Sequence, residues 1–389
     1  MLNAGQKLWK VQKQQGTGLC VGIDPHYEPD GALNQEFYSR FAINGDYFRD
    51  LFAAAVRITR SISSKPAAQE GRTEDFLTFL TGLTCYYLRV VREAWNCGIR
   101  VFKPQASFYE RLGLPGNVLL AILCNELESL ASSSGEDWFG IFDGKREDIA
   151  STMEAYYRAW LGEEVLPGIT GQFNFDTMTV TMGIGEDVLT PGVPFFKAGK
   201  GAIVVIKSSN PSGTTLQDAT VLPSYLSTNF ALGRFRYDTV MHQDLVNFLD
   251  RDLLAHELML WITTQFVGEH GLEQGGINPI FSVMGSTVEM SQSFRKIRGN
   301  GAIALIPGFG HQGGNFRNIQ RLLVREGPLE GHWGILASAR AHNFPWMTQY
   351  GGRGNPQYLE AEMERAIRGF RVAEREAYQE GGAGVEYPF

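Results

Sequence analysis

The sequence predicts an α/β protein built as a (β/α)8 TIM barrel, and three observations predict it. Eight short apolar runs rich in β-branched residues recur along the 389 residues, each followed by a polar or glycine-bearing turn and then by a segment with helical periodicity. Eight is also the strand number of a closed parallel barrel, whereas an open doubly wound sheet normally uses fewer. The third observation is where the polar residues fall. Asp24, Lys103, Asp143, Lys145, Ser209, Thr287 and the Ser-Ala-Arg at 338–340 all stand at or just past the C-terminal end of a run. In a barrel those ends share one rim, and active sites of this fold are built there.

In chain order the runs are LCVGID (19–24), RVFKPQ (100–105), WFGIFDGK (138–145), TMTVTM (177–182), AIVVIKSS (202–209), IFSVMGST (280–287), AIALIP (302–307) and GILASA (334–339). Two connections are too long for simple crossovers. Between Asp24 and Lys103, helix-like runs around 45–62 and 74–96 flank the polar linker SSKPAAQEGR. Between Ser209 and Ile280, an irregular stretch leads into a long amphipathic segment around 239–268. These read as helical insertions after the first and fifth strands, at about 30–97 and 214–275, on a single barrel domain spanning 1–389. A lid or an oligomer contact is the expected use of such insertions. The tail at 356–381 reads as a surface helix ended by GGAG.

Composition narrows the function. With 43% apolar and 20% charged residues the chain can bury a substantial core. A formal net charge of −7 offers no general attraction to nucleic acid or to anionic membranes. Cys20, Cys85, Cys97 and Cys124 sit singly in apolar runs without CxxC spacing, as reduced core residues of a cytoplasmic protein do. No run reaches the ~18 apolar residues of a membrane span, and the start lacks a signal-peptide core. The seven histidines show no ligand spacing, and the HEL at 256–258 lacks the second histidine of HExxH, so no metal is expected.

The stretch FDGKREDIAST (142–152) is dense in charge. Asp143 and Lys145 are two apart on a strand end, so the strand period puts both on one face, with Gly144 turned away. Asp148 lies three beyond Lys145 at the expected start of a helix, where the dipole favours a carboxylate. A lone DxKxxD is more often a surface turn with a salt bridge and an N-cap. Lys103 changes that weighing, because it ends the preceding strand and so stands beside the pair. An alternating array of lysines and aspartates is costly to assemble unless its field acts on a ligand. After the seventh run, PGFGHQGGN precedes a helix-like segment, which lets backbone amides converge on an anion; alone, it fits an ordinary turn equally well. Arg340 after the eighth run adds a guanidinium suited to phosphate, and together they point to a phosphorylated substrate.

Taken together, these stretches resemble the orotidine 5'-monophosphate decarboxylase family, particularly its longer bacterial type, whose third strand ends DxKRxDI. The resemblance rests on LCVGIDP (19–25), FKPQASFYERLG (102–113), DGKREDIAST (143–152), TVTMGIGEDVLTP (179–191), KSSNPSG (207–213) with LQD (216–218), GST (285–287), IPGFGHQGG (306–314) and SARA (338–341), in the family's order. It implies cofactor-free conversion of orotidine 5'-monophosphate to uridine 5'-monophosphate by a homodimer with shared active sites. Lys145 is then the acid that protonates C6, Asp143 sits against the departing carboxylate, and Lys103 holds the array in register. Asp148 and Thr152 reach the neighbouring subunit's ribose. Asp24 binds a ribose hydroxyl, Ser209 reads the pyrimidine edge, and Gln312, Gly313 and Arg340 grip the phosphate.

The chain departs from the pattern in three ways. Glu147 replaces the glycine of KRGDI, TVTMG stands where TVNPY is common, and the chain is about a hundred residues longer than typical members. Two alternatives stay open: a related sugar-phosphate decarboxylase using a similar DxKxxD with magnesium, and a non-catalytic nucleotide-binding or scaffold homologue.

Overall fold

The computed structural model describes residues 1–28, 30–43, 45–61, 73–162, 164–166, 168–222, 228, 253–285, 301–309, 316, 322–347, 358–381 and 387–389. The chain opens with α1 (Ala4–Gln15), which a capping box starts. There Asn3 Oδ1 accepts the Gln6 amide at 2.9 Å while Gln6 Oε1 accepts the Asn3 amide at 3.1 Å. Gly16, at φ 69°, ends it in the left-handed conformation that glycine adopts most freely.

The elements that follow are β1 (Leu19–Gly22), α2 (Gln35–Ser39), α3 (Asp46–Ser61), α4 (Thr73–Asn96), β2 (Val101–Lys103), α5 (Ala106–Glu110), α6 (Leu114–Ser134), β3 (Phe139–Arg146) and α7 (Ala150–Leu161). Next come a small hairpin of β4 (Glu164–Leu166) and β5 (Ile169–Thr170), then β6 (Thr177–Val180), α8 (Val193–Lys197), β7 (Gly201–Lys207), α9 (Gly213–Gln217), β8 (Thr220–Val221), β9 (Leu253–Leu254) and α10 (Ala255–Glu269). The chain ends with β10 (Ile280–Met284), β11 (Ala304–Pro307), β12 (Ile335–Ser338), α11 (Arg340–Asn343) and α12 (Leu359–Gly381).

Eight of these strands close a parallel barrel in the order β1, β12, β11, β10, β7, β6, β3, β2. Each of the eight apolar runs supplies one of them, so the predicted fold class holds. The strands β7 (GAIVVIK) and β10 (IFSVM) are apolar almost throughout and buried along nearly their whole length. Strands covered on both faces read this way, without the polar alternation of a half-exposed sheet.

The chain groups into two compact units. One comprises Cys20–Gly144 and Ser338–Arg371. Its helices α2, α3 and α4 follow β1, and an aromatic cluster forms around Tyr86 of α4, which lies 5.0 Å from Phe41, 5.6 Å from Tyr38 and 5.8 Å from Phe344, ring to ring. Burying each such ring contributes about 1.5–3 kcal/mol, plus a smaller term from the edge-to-face and stacked ring pairs.

The other unit comprises Met1–Leu19, Lys145–Ala337 and Val372–Phe389. Strands β6, β7, β10 and β11 pair in parallel here, for example Val204 with Val180 and with Ser282. The second half of the tail helix is more than a surface element in this unit. Glu374, fully buried, accepts the Gly18 amide at 2.9 Å and the Thr17 hydroxyl, and the Trp333 indole lies 3.4 Å away. The terminating GGAG made the helix legible, but the buried acid needs partners from distant parts of the chain. Among the described residues no helix is long and apolar enough to cross a membrane.

Candidate active site

Strand register assembles the first part of the site. Gly22 pairs with Lys103, and the Ile23 amide donates to the Lys103 carbonyl at 3.2 Å. One residue further, Asp24 reaches the chain beyond β2, where its Oδ1 accepts the Gln105 amide at 3.0 Å. On the other side of β2, the Asp143 amide donates to the Pro104 carbonyl at 3.0 Å. Lys103 therefore lies between two carboxylates contributed by the neighbouring strands. Its Nζ is 2.8 Å from Asp143 Oδ2.

Asp24, Lys103 and Asp143 are 5%, 7% and 7% exposed, so this is a buried triad and not a solvated face. Burial opposes the lysine's charge, but Asp143 and Asp24 outweigh it and hold Lys103 above the ordinary lysine range. Burial and the two acids push the nearby Cys20 thiol up to about 12, against the opposing effect of Lys103. Cys20 is thus an inert packing residue.

Helices around the end of β1 fix where Asp24 stands. The Tyr109 hydroxyl of α5 donates to the Ile23 carbonyl, and the Tyr87 hydroxyl of α4 donates to the Asp24 carbonyl. Burial holds both phenols protonated, so each remains a donor. The helix α4, which follows β1 in a long connection, thereby contributes directly to positioning a candidate site residue.

Lys145 lies two residues beyond Asp143 on β3, with its backbone at φ 45°. Among the described residues it is the one non-glycine side chain in the left-handed region, which costs on the order of 1 kcal/mol. The two-residue strand period assumes extended backbone, so the period alone does not set the direction of this side chain. Lys145 is exposed, and its amide donates to the Thr179 hydroxyl at 2.9 Å. Asp148 stands ahead of α7, whose N-cap is Ile149, and not within its first turn. Its Oδ1 accepts the Ile149 amide at 2.7 Å. Thr152 is half-buried in the first turn of α7.

The end of β7 holds a cluster that sequence reasoning missed. Lys207, 3% exposed, donates to Asp218, and His256 Nδ1 lies 3.2 Å from the same Asp218 oxygen. His256 Nδ1 is also 2.7 Å from the Gln217 carbonyl. Burial lowers the His256 pKa, assisted by Lys207 and opposed by Gln217, Glu257 and Asp218. Gln217 Oε1 in turn accepts the Ser208 amide at 3.0 Å, which closes the 208–217 loop onto itself. Ser209 rides on that loop, half-buried, next to Gly285. A Cβ at 285 would lie 2.8 Å from Ser209 Cα, so this close approach needs glycine. The residues KSSNP and LQD were visible as motifs, but nothing in their spacing announced a lysine–aspartate–histidine contact.

Gln312, Gly313, His311 and Thr287 lie outside the described residues. Arg340 opens α11 directly after β12, and its Nη2 is 3.8 Å from Glu28 Oε1. Behind it, His342 is fully buried with Nδ1 2.9 Å from the Ser338 hydroxyl, and burial lowers its pKa to about 4. Among the described residues no group of three His, Cys, Asp or Glu side chains could hold a metal ion.

A closed parallel barrel bearing a buried lysine–carboxylate array on its strand ends defines a (β/α)8 barrel enzyme. Comparison with known proteins narrows the class. No family model matches the chain. It is 30% identical over 265 residues to the orotidine 5'-phosphate decarboxylase of Rhodopirellula baltica, covering 68% of this chain and 74% of that one. Against the orotidine 5'-phosphate decarboxylase of Caldicellulosiruptor saccharolyticus it is 29% identical over 327 residues, or 82% and 84% of the two chains. Its fold matches the crystal structure of Plasmodium berghei orotidine 5'-monophosphate decarboxylase with a TM-score of 0.60 at 15% identity, covering 97% and 98% of the chains. The chain belongs to the orotidine 5'-phosphate decarboxylase family.

Proposed function

We propose that this protein converts orotidine 5'-monophosphate to uridine 5'-monophosphate and carbon dioxide, the carboxy-lyase step of pyrimidine nucleotide synthesis. The observation that carries the reading is the buried Asp24–Lys103–Asp143 triad with Lys145 two residues further along the same strand.

The chemistry asks for such an array. When the bond from C6 to the carboxylate breaks, carbon dioxide leaves and the electron pair stays on C6, with no ring position to delocalise it. A positioned ammonium stabilises that developing charge and then gives C6 a proton, a role assigned to Lys145. Asp143 would face the substrate carboxylate. Its ion pair with Lys103 keeps it in one orientation, which satisfies the need for preorganised charge. Asp24 would bind the ribose, Ser209 the pyrimidine edge, and Arg340, Gln312 and Gly313 the phosphate.

The reading includes a homodimer in which Asp148 and Thr152 serve the neighbouring site. Four unpaired cysteines support a reducing cytoplasmic setting. The direct test is the fall in orotate-type absorbance when pure, folded protein meets orotidine 5'-monophosphate. Turnover without added metal supports the reading. Strict dependence on magnesium favours the sugar-phosphate decarboxylase alternative, and absence of turnover favours a binding role.

A further inference from the structure

Glu147 sits between the two residues of β3 and its turn that the proposed reaction uses, Lys145 and Asp148, and the reaction gives it no role. Its surroundings do. The tip of β3 is joined to the chain at and beyond β6 at three levels. The Lys145 amide donates to the Thr179 hydroxyl at 2.9 Å, and the Thr181 amide donates to the Arg146 carbonyl at 3.0 Å. The third level is made by the Glu147 carboxylate, whose Oε2 accepts the Thr181 hydroxyl and whose Oε1 accepts the Ile184 amide, both at 2.8 Å.

Glu147 thus accepts a donor from the 181–184 loop with each carboxylate oxygen, and is half-buried in doing so. Its charge is committed to the loop and not aimed at a ligand. The loop passes close over it at Gly183, where a Cβ would lie 2.8 Å from Glu147 Oε1, so that the carboxylate would have to shift. The two places where this chain departs from the family pattern, Glu147 and the TVTMG segment, are therefore in contact and fit each other.

We infer that Glu147 is a positioning residue, which clamps the 181–184 loop to the tip of β3 and so fixes where Lys145 and Asp148 are presented. Lys145 needs such a restraint more than most residues. Its left-handed backbone is held only while its neighbours over-determine it, and Arg146 and Glu147 are the next two residues to be tied down. A shift of about 1 Å in a reacting group costs on the order of 10²-fold in rate, so slack in this turn should register in kcat.

The inference rests on the proposed decarboxylation, and its test separates the two. Glu147→Ala removes both acceptors. Glu147→Gln keeps both contacts, since its Oε1 can accept the Ile184 amide while its Nε2 donates to the Thr181 hydroxyl, which has free acceptor capacity. Gly183→Ala attacks the clamp from the other side. Amide hydrogen exchange over 181–185 reads the clamp without reference to activity. Steady-state kinetics with orotidine 5'-monophosphate reads its consequence.

We expect faster exchange over 181–185 in Glu147→Ala and Gly183→Ala, with kcat lowered by roughly tenfold or more and KM changed less. Glu147→Gln should keep wild-type exchange and a kcat within about twofold of wild type, because geometry is retained and only charge is lost. Unchanged exchange in Glu147→Ala overturns the clamp. Faster exchange with undiminished kcat overturns the positioning role, and so does a Glu147→Gln variant as slow as Glu147→Ala. Wild-type protein without turnover defeats the proposed reaction alone, and the exchange comparison still decides whether the clamp exists.

Discussion

Lys103→Met replaces a buried ammonium by an apolar side chain of similar length and removes its field from Asp24 and Asp143. The pair it breaks is 2.8 Å long and less than a tenth exposed on both sides. Removing one partner of a buried pair costs about 3–5 kcal/mol, mostly from the orphaned charge. At ~2.1 cal/mol/K of unfolding entropy per residue, 389 residues give roughly 0.8 kcal/mol/K, so the loss reads as a Tm lower by roughly 4–6 °C. The pH dependence sharpens the test. In the wild type, Asp143 and Asp24 hold the Lys103 pKa above its unfolded value against burial, so its contribution is complete below about pH 10 and is lost only as pH rises through the folded value. Between pH 5 and 8 that contribution is therefore constant. In the variant the two carboxyls stay buried without the field of Lys103, which shifts them toward the neutral form, and acids so shifted destabilise as pH rises through their titration. Calorimetry at pH 5 and pH 7.5 should find the variant's deficit smaller at pH 5. Adding Asp143→Leu should recover part of the loss. A Tm within 1 °C of wild type, or a deficit identical at both pH values, would refute the buried-triad reasoning.

Three further outcomes follow from other parts of the molecule. His342, fully buried with a pKa near 4 against an ordinary 6.5, must stay neutral when folded, so stability falls as pH drops from about 6.5 to about 4, by on the order of 3 kcal/mol in all. Urea unfolding across that range should show a shallower acid limb in His342→Gln. Gly285→Ala forces a Cβ to within 2.8 Å of Ser209, an overpacking of about 1–3 kcal/mol, and displacing Ser209 should raise KM for orotidine 5'-monophosphate. An unchanged KM would remove Ser209 from the substrate contacts. Mixing Lys145→Ala with Asp148→Ala protein should restore about one quarter of wild-type activity if Asp148 serves its neighbour, since half the dimers are mixed and half their sites are intact. Mixtures no more active than their components would confine Asp148 to its own subunit.

The barrel was legible because each of its eight strands lies in an apolar run followed by a turn and a helix-like segment, and six of the runs carry a polar residue at or just past their end, a pattern that neighbouring chemistry along the chain is enough to reveal. Asp24, Lys103 and Asp143 were legible for the same reason, and the strand register brings them together. What stayed hidden depends on contacts between residues far apart in sequence. Lys207, Asp218 and His256 meet across 49 positions, and Glu374 finds Thr17 and Gly18 across some 356. The strand period does not foretell a positive φ at Lys145, and Asp148 falls ahead of its helix because Ile149 takes the N-cap. Glu147 registered only as a departure from a pattern; its meaning lies in two hydrogen bonds to a loop more than 30 residues away.

The most direct test of the account is Lys145→Ala, assayed for turnover of orotidine 5'-monophosphate and, by titration calorimetry, for affinity toward uridine 5'-monophosphate. An ammonium that supplies the proton predicts a fall in kcat of about 10²-fold or more, while the Kd for the product stays within about threefold of wild type. Undiminished turnover in that variant would contradict the central claim.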